Sequence, residues 1–314
     1  MPGLIDAHVH LFLHPGAEDL QTIKESVPQR TILATLAARA DLMAGFTAER
    51  DMGTEGAGSA DTAVRNAINE GLIPGPRLRI SGNAIDILGG HEDANDFNPA
   101  QHVLSNATYA NNADQLVEAI REQFKEGSDF VKIYETGHDS IRDGVFSTPY
   151  QYTVEQLKAA VNEAARVGKN VAVHAMGEPG ALYAAEAGVV SIDHAETPAA
   201  AARERAIFEY HVAEFKKQMA AGISFAVGSD VGPFPHGMQA RELVLMAKFG
   251  MSPLDVLKSD LLNGAKLLGW GGQIGELKAG YFADVIAVPG NPLEDLSMTQ
   301  HVSFVMKGGV IYRR

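Results

Sequence analysis

Residues 4–16 read LIDAHVHLFLHPG and place His8 and His10 two residues apart in an apolar run. On a β-strand successive side chains alternate faces, so positions i and i+2 look the same way and two imidazoles can share one ion. The same spacing also suits two histidines that merely satisfy hydrogen bonds in a half-buried strand. Other apolar runs end in residues that bind or activate: Lys132 in FVKIY, His174 in VAVHA, His194 in SIDHA and Asp230 in AVGSD. If these runs are strands whose C-terminal ends converge on one mouth, the imidazoles, the carboxylate and the lysine meet where several strands build chemistry together. No cysteine occurs, so disulfides, thiolate sites and cysteine nucleophiles are absent, and any metal sits on nitrogen and oxygen.

Seven short β-rich runs supply candidate strands at 4–10, 47–52, 77–81, 130–134, 170–175, 191–195 and 224–229. Between them lie stretches with apolar residues at helical spacing, at 31–44, 112–125, 153–167 and 199–220. Thr153 followed three residues later by Gln156 spells a capping box, and Gly168 stands where a C-cap glycine belongs. This alternation predicts βα units around a parallel sheet or barrel. Residues 82–110, rich in Gly, Asn, Asp and His, lack periodicity and read as a long loop, either a solvated one or a substrate lid. Beyond Gly269 the texture turns glycine-punctuated and short-stranded, which divides the chain into a barrel over 1–270 and a small β segment over 271–314.

Lysine and arginine number 26 against 39 aspartates and glutamates, a net charge of −13 that repels a phosphate backbone and excludes nucleic acid as a partner. At 46% hydrophobic and 21% charged the 314 residues read as an ordinary globular protein. No signal-peptide pattern opens the chain, and no apolar run nears the ~20 residues that span a bilayer. A cytoplasmic protein without a membrane partner is the expectation.

Taken together, PGLIDAHVH, the Lys132 strand, HAMG, SIDHA and GSDVG resemble the metal-dependent amidohydrolase superfamily, binuclear type. NGAKLLGW and GELKAGYFADVIAVPGNPLED resemble that family's closing helix and C-terminal β segment, so the likeness runs almost end to end. GGHED and FPHGMQARELVLM look like the branch of imidazolonepropionase-like enzymes and metal-dependent prolidases and carboxypeptidases.

The resemblance implies a TIM-like (β/α) barrel in which His8, His10 and Asp230 hold one divalent ion and His174 and His194 another. Lys132 would bridge both ions as a carbamate formed with carbon dioxide, which supplies two anionic oxygens and removes the cost of burying an ammonium. Zinc is the first choice of metal, with manganese, iron, cobalt or nickel compatible with the same ligands. A water shared by two ions is acidified enough to attack an amide carbonyl, with Asp230 taking its proton and passing it to the leaving amine. In that branch His91 would grip the substrate, an N-acyl amino acid or dipeptide. Tyr134 shares the parity of Lys132 and so could reach the mouth, and His236, just past the strand-eight turn, could line the pocket. His14, His102, His138, His211 and His301 receive no role.

Two departures from the family pattern stand out. Relatives carry an N-terminal segment that forms half of a β-sandwich, which leaves the strands of 271–314 without their expected partners. Asp230 follows His194 by only 36 positions, little more than the ~30 residues of one βαβ crossover. TPAAAARERAIFEYHVAEFKKQMAAG within that span reads as one long helix, so strand seven is expected to be missing and the barrel incomplete. Strands six and eight would then pair directly, or a homo-oligomer would cover the open edges. Two rival functions follow: a lactonase, esterase or phosphotriesterase on the same ions, and a non-catalytic metal-binding relic with a disrupted pocket.

Overall fold

The computed structural model describes residues 1–94, 97–98, 100–138, 140–142, 145–194 and 203–314, with backbone alone at 140–142, 145–147 and 203–211. In chain order the strands are β1 (Leu4–Val9), β2 (Phe46–Asp51), β3 (Arg77–Ile80), β4 (Ile85–Asp86), β5 (Thr108–Tyr109) and β6 (Val131–Tyr134). They continue as β7 (Ser140–Arg142), β8 (Val145–Ser147), β9 (Val171–His174), β10 (Ser191–Asp193), β11 (Val285–Ala287), β12 (Phe304–Lys307) and β13 (Val310–Arg313). The helices used below are α1 (Glu18–Lys24), α2 (Val27–Met43), α3 (Ala60–Asn69), α4 (Ala113–Glu126), α5 (Val154–Arg166), α6 (Gly180–Ala187), α7 (Arg203–Ala220) and α8 (Arg241–Lys248). Contacts divide the chain into two units, the first Met1–Met52, Ala60–Ile80 and Gly222–Arg314, the second Gly53–Ser59 and Ser81–Ala221.

In the first unit β1, β2 and β3 form a parallel sheet in that order. Ile5 and Ala7 of β1 pack with Ala48, Ala265, Leu268 and Ile274, which turns Asp6 and His8 to the opposite face. The strand expected at 224–229 is present only in outline. Its backbone runs parallel to β1, with Ala7 N–H donating to Val227 O at 2.8 Å, Asp230 N–H to His8 O at 2.9 Å and His10 N–H to Val231 O at 2.9 Å. Asp230 sits at φ +58°, and this left-handed residue breaks the extended run before a regular strand completes. The last three strands form an antiparallel sheet in the order β11, β12, β13. Their expected lack of partners is corrected by the chain's own first residues: Pro2 bridges Val285, and Met1 exchanges bonds with Ile286 at 2.9 and 3.0 Å.

The second unit holds a five-stranded parallel sheet ordered β10, β9, β6, β4, β5. Val131, Ile133, Val171 and Val173 face an apolar core built with Ile120 and Leu157, so Lys132, Tyr134 and His174 lie on the other face. Residues 82–110 are not the featureless loop expected, because β4 pairs Ile85 with Ile133 and β5 pairs with β4. Each of these strands is only two residues long, too short to register as periodicity. Between His194 and residue 222 the described residues form one helix, α7, and no strand, as expected. The start of the helix expected at 199–220, and Ala195 at the end of the predicted sixth strand, lie outside the described residues.

Helix ends follow the sequence closely. Thr153 and Gln156 exchange the two bonds of a capping box at the start of α5, and Gly168 takes φ +73° just beyond its end. Asn112 caps α4 and Gly127 closes it in the left-handed region. The fold is therefore α/β, with parallel strands, a small antiparallel C-terminal sheet and, among the described residues, no closed barrel.

Candidate functional site

The first unit brings three predicted ligands together. His8 Nε2 and His10 Nε2 are 3.1 Å apart, and Asp230 Oδ1 lies 3.4 Å from the first and 3.3 Å from the second. Zinc bonds of about 2.0–2.1 Å in tetrahedral array put neighbouring donor atoms roughly 3.3 Å apart, so this spacing fits one ion. Asp6 Oδ1 accepts from His8 N–H at 3.1 Å and Ser229 N–H at 3.0 Å, tying the two ligand-bearing backbones to each other.

The glycines of GSDVG make that approach possible. A Cβ on Gly228 would lie 2.7 Å from His8 Cβ, and one on Gly232 would lie 2.8 Å from Leu13 Cβ, on a backbone already at φ +144°. Around this set the carboxyls are crowded. Burial pushes Asp6 and Glu242 up to about 7, and burial with the charges of Asp41, Asp6 and Asp51 holds Glu49 well above the usual range. A cation would relieve both penalties.

The second unit gathers the other half of the prediction. His174 is 2% exposed, and neither of its ring nitrogens has a hydrogen-bond partner among the described residues. Burial, then the neighbouring His91 and His194, hold it well below the usual imidazole range, so the ring stays neutral with a lone pair available. Its ring centroid is 4.7 Å from that of His194 and 4.1 Å from that of His91. His194 stands at φ +61°, a conformation that costs a non-glycine residue about 1–3 kcal/mol. Among the described residues only Glu55, at φ +48°, joins His194 and Asp230 as a non-glycine residue with positive φ.

Lys132 is fully buried, its Nζ 3.2 Å from Asp193 Oδ2 and 5.4 Å from the Tyr134 ring centroid. Asp193 was not singled out from sequence, although it directly precedes His194 in SIDHA. His91 stacks on Tyr134 with centroids 5.2 Å apart and planes 11° from parallel. Burial pulls His91 down to about 3. Neutral His91 and the phenol of Tyr134 are thus neutral hydrogen-bonding groups on one face. His138, given no role above, has its ring centroid 4.4 Å from that of His91. It follows the end of β6, where no period could have flagged it. His236 has its Nδ1 2.8 Å from Asp41 Oδ2 and its Nε2 3.2 Å from Leu13 O, so both nitrogens are engaged within the first unit. Burial disfavours its charged form, but the Asp41 carboxylate more than offsets this and its pKa is raised.

The donor set therefore fits divalent metal: imidazole nitrogens and carboxylate oxygens, with a buried orphan imidazole among them. Among the described residues no helix is long and apolar enough to cross a membrane. The amidohydrolase family profile matches residues 1–206 and 197–312. Ochratoxinase of Aspergillus niger is 28% identical over 373 residues, spanning 100% of this chain and 75% of that protein. The structure of a Xaa-Pro dipeptidase with methionine bound in its active site superposes with a TM-score of 0.88 at 29% identity, covering 100% of this chain and 86% of that one. The crystal structure of Aspergillus niger ochratoxinase gives a TM-score of 0.83 at 26% identity, covering 100% and 83%. The expected α/β architecture is thus that of proteins whose sequences are also alike.

Proposed function

Because this chain belongs to the amidohydrolase family and is a hydrolase of amide- or peptide-type bonds, we propose that its substrates are N-acyl amino acids or dipeptides and its cofactors two divalent ions, zinc first. In this reading His8, His10 and Asp230 hold one ion, His174 and His194 the other, and Lys132, carboxylated by carbon dioxide, is shared. When bound, such ions supply Lewis acidity to a carbonyl and draw the pKa of water toward neutrality.

The chain's own residues do the rest. Asp230 accepts the proton of the attacking water and returns it to the leaving amine. His91 and Tyr134 hold the substrate carboxylate by hydrogen bonds rather than by charge, since burial keeps the His91 ring neutral. A carbamate on Lys132 would be an anion beside Asp193, so it needs the ions as counter-charge, and without them the ammonium–Asp193 pair is the stable form.

The observation that carries the reading is His174, a buried neutral imidazole with neither nitrogen hydrogen-bonded among the described residues. The test is elemental analysis of protein expressed with zinc and bicarbonate, beside Lys132→Ala and a substrate panel. About two ions per chain, a clear loss in the variant, and cleavage of N-acyl amino acids or dipeptides are expected. Turnover of lactones, esters or phosphotriesters without amide cleavage would move the substrate class, and no metal in either protein would leave a relic. Among the described strands β10 ends its sheet, and a homo-oligomer covering such edges is part of the proposal, read by light scattering.

A further inference from the structure

The loop that bears His91 is fastened by one amide side chain. Gln151 Oε1 accepts from His91 N–H at 2.9 Å, and Gln151 Nε2 donates to Tyr134 O at 2.7 Å and to Asp86 Oδ1. Both amide protons and one carbonyl lone pair are thereby used. Asp86 in turn accepts from Ile87 N–H at 2.7 Å and Glu92 N–H at 2.6 Å, and so gathers the backbone on either side of His91. The fit is close: a Cβ on Gly90 would lie 2.3 Å from Asp86 Oδ1.

Gln151 is itself anchored to the strand that carries Lys132 and Tyr134. Its N–H donates to Glu135 O at 2.7 Å, Gly137 N–H donates to Pro149 O at 2.8 Å, and Tyr150 bridges Thr136 in antiparallel fashion. Asp86 ends β4, whose Ile85 pairs with Ile133 of β6. Loop, strand end and neighbouring strand are thus held in register by two side chains that need not touch substrate. The His91 ring lies flat on Tyr134 because its backbone is fixed at this distance.

We infer that Gln151, backed by Asp86, is a positioning residue that sets His91 over Tyr134 and so determines preference for substrates with a free carboxylate. The inference rests on the proposed role of His91 in holding that carboxylate. Loosening a binding group by an ångström or so costs up to about a hundredfold in rate or affinity, so the effect is measurable.

The experiment uses the metal-loaded full chain and compares N-acetyl-L-phenylalanine with its C-terminal primary amide, following acetate release, and phenylalanine with its amide in calorimetric binding. Gln151→Met keeps the volume but removes all three bonds. The expected result is a roughly tenfold fall in the acid-over-amide preference, carried by KM rather than kcat, approaching the loss in His91→Ala. Asp86→Asn, which keeps one acceptor oxygen, should fall in the same direction by less. Metal content and melting temperature of each variant show that it is folded and loaded. A preference that His91→Ala abolishes and Gln151→Met and Asp86→Asn retain would overturn the positioning role alone. No acid-over-amide preference in the parent, by turnover or by binding, would overturn the carboxylate reading and this inference with it.

Discussion

The two units bring opposite electrostatics to the same kind of chemistry. In the first, two imidazoles share Asp230 amid buried acids, with Asp6 and Glu242 pushed up to about 7. In the second, the imidazoles of His91 and His174 are pushed down by burial and by neighbouring imidazoles, beside a buried lysine. One set is short of positive charge, and the other keeps its rings neutral and its lone pairs open. The difference teaches that a metal-ready site can be prepared from either side of the charge scale, because burial penalises whichever charged form the residues would otherwise adopt.

The strongest way to break that comparison is to remove one member from each set. Asp230→Asn keeps the shape but weakens a proposed metal ligand and loses the proposed proton acceptor, and turnover should fall by roughly 10²–10⁴. His174→Ala should lower turnover to a similar degree by removing a proposed ligand of the other ion, and metal content should fall in both variants, which elemental analysis reads. Full metal occupancy in His174→Ala would show that its orphan nitrogens are not ligands, and the two sets would then not be equivalent in kind.

The next effect is on stability, and its sign differs between the sets. Asp6 binds its proton up to about pH 7 in the fold but only to about 3.8 unfolded, so the metal-free chain loses stability as pH rises through that window. His91 and His174 do the reverse: unfolded rings protonate below about 6.5 while the folded ones resist, His91 to about 3, so stability is lost as pH falls. Asp86, raised to about 7 by burial, and Glu135, raised to about 9, add the acid-type slope to the second unit, so whole-chain melting mixes both signs. Variant differences separate them. Asp6→Asn should flatten the curve between about pH 4 and 7, a span worth on the order of 4 kcal/mol for a fully buried carboxyl. His91→Asn should flatten it between about 3 and 6.5, and urea melts across pH read both.

Which parts of this were legible depends on how much physics acts locally. His8, His10, Lys132 and His174 could be found because strand parity is local, and the apolar residues between them fix which face each takes. The strand ahead of Asp230 was legible as a run but not as an irregular one, since its break at φ +58° falls on a single residue among hydrogen bonds to β1 and leaves no period to read. β4 and β5 were invisible because two residues carry no period. Asp193, His138 and Gln151 escaped for a common reason: each acts through a partner far away in sequence, Lys132, His91 and Asp86 respectively. His236 bonds Asp41, 195 positions away, a partner that no window over the sequence could see.

The smallest effect sharpens the comparison from the scaffold side. Thr153 accepts from Gln156 N–H at 3.3 Å, and Gln156 Oε1 accepts from Thr153 N–H at 2.8 Å, both at the exposed start of α5 in the second unit. Thr153→Ala leaves the Gln156 N–H to water and should cost about 1 kcal/mol, a fall in melting temperature of about 2 °C for a chain of this size. Leu157 and Ala160 of the same helix remain in the apolar core under β6 and β9, so the face that carries Lys132 and His174 keeps its support. Metal content should therefore be unchanged while exchange of the first-turn amides of α5 quickens. Loss of metal in Thr153→Ala would mean that the imidazole set depends on the marginal stability of one helix end. The charge contrast between the two sets would then be secondary to a difference in how firmly each is held.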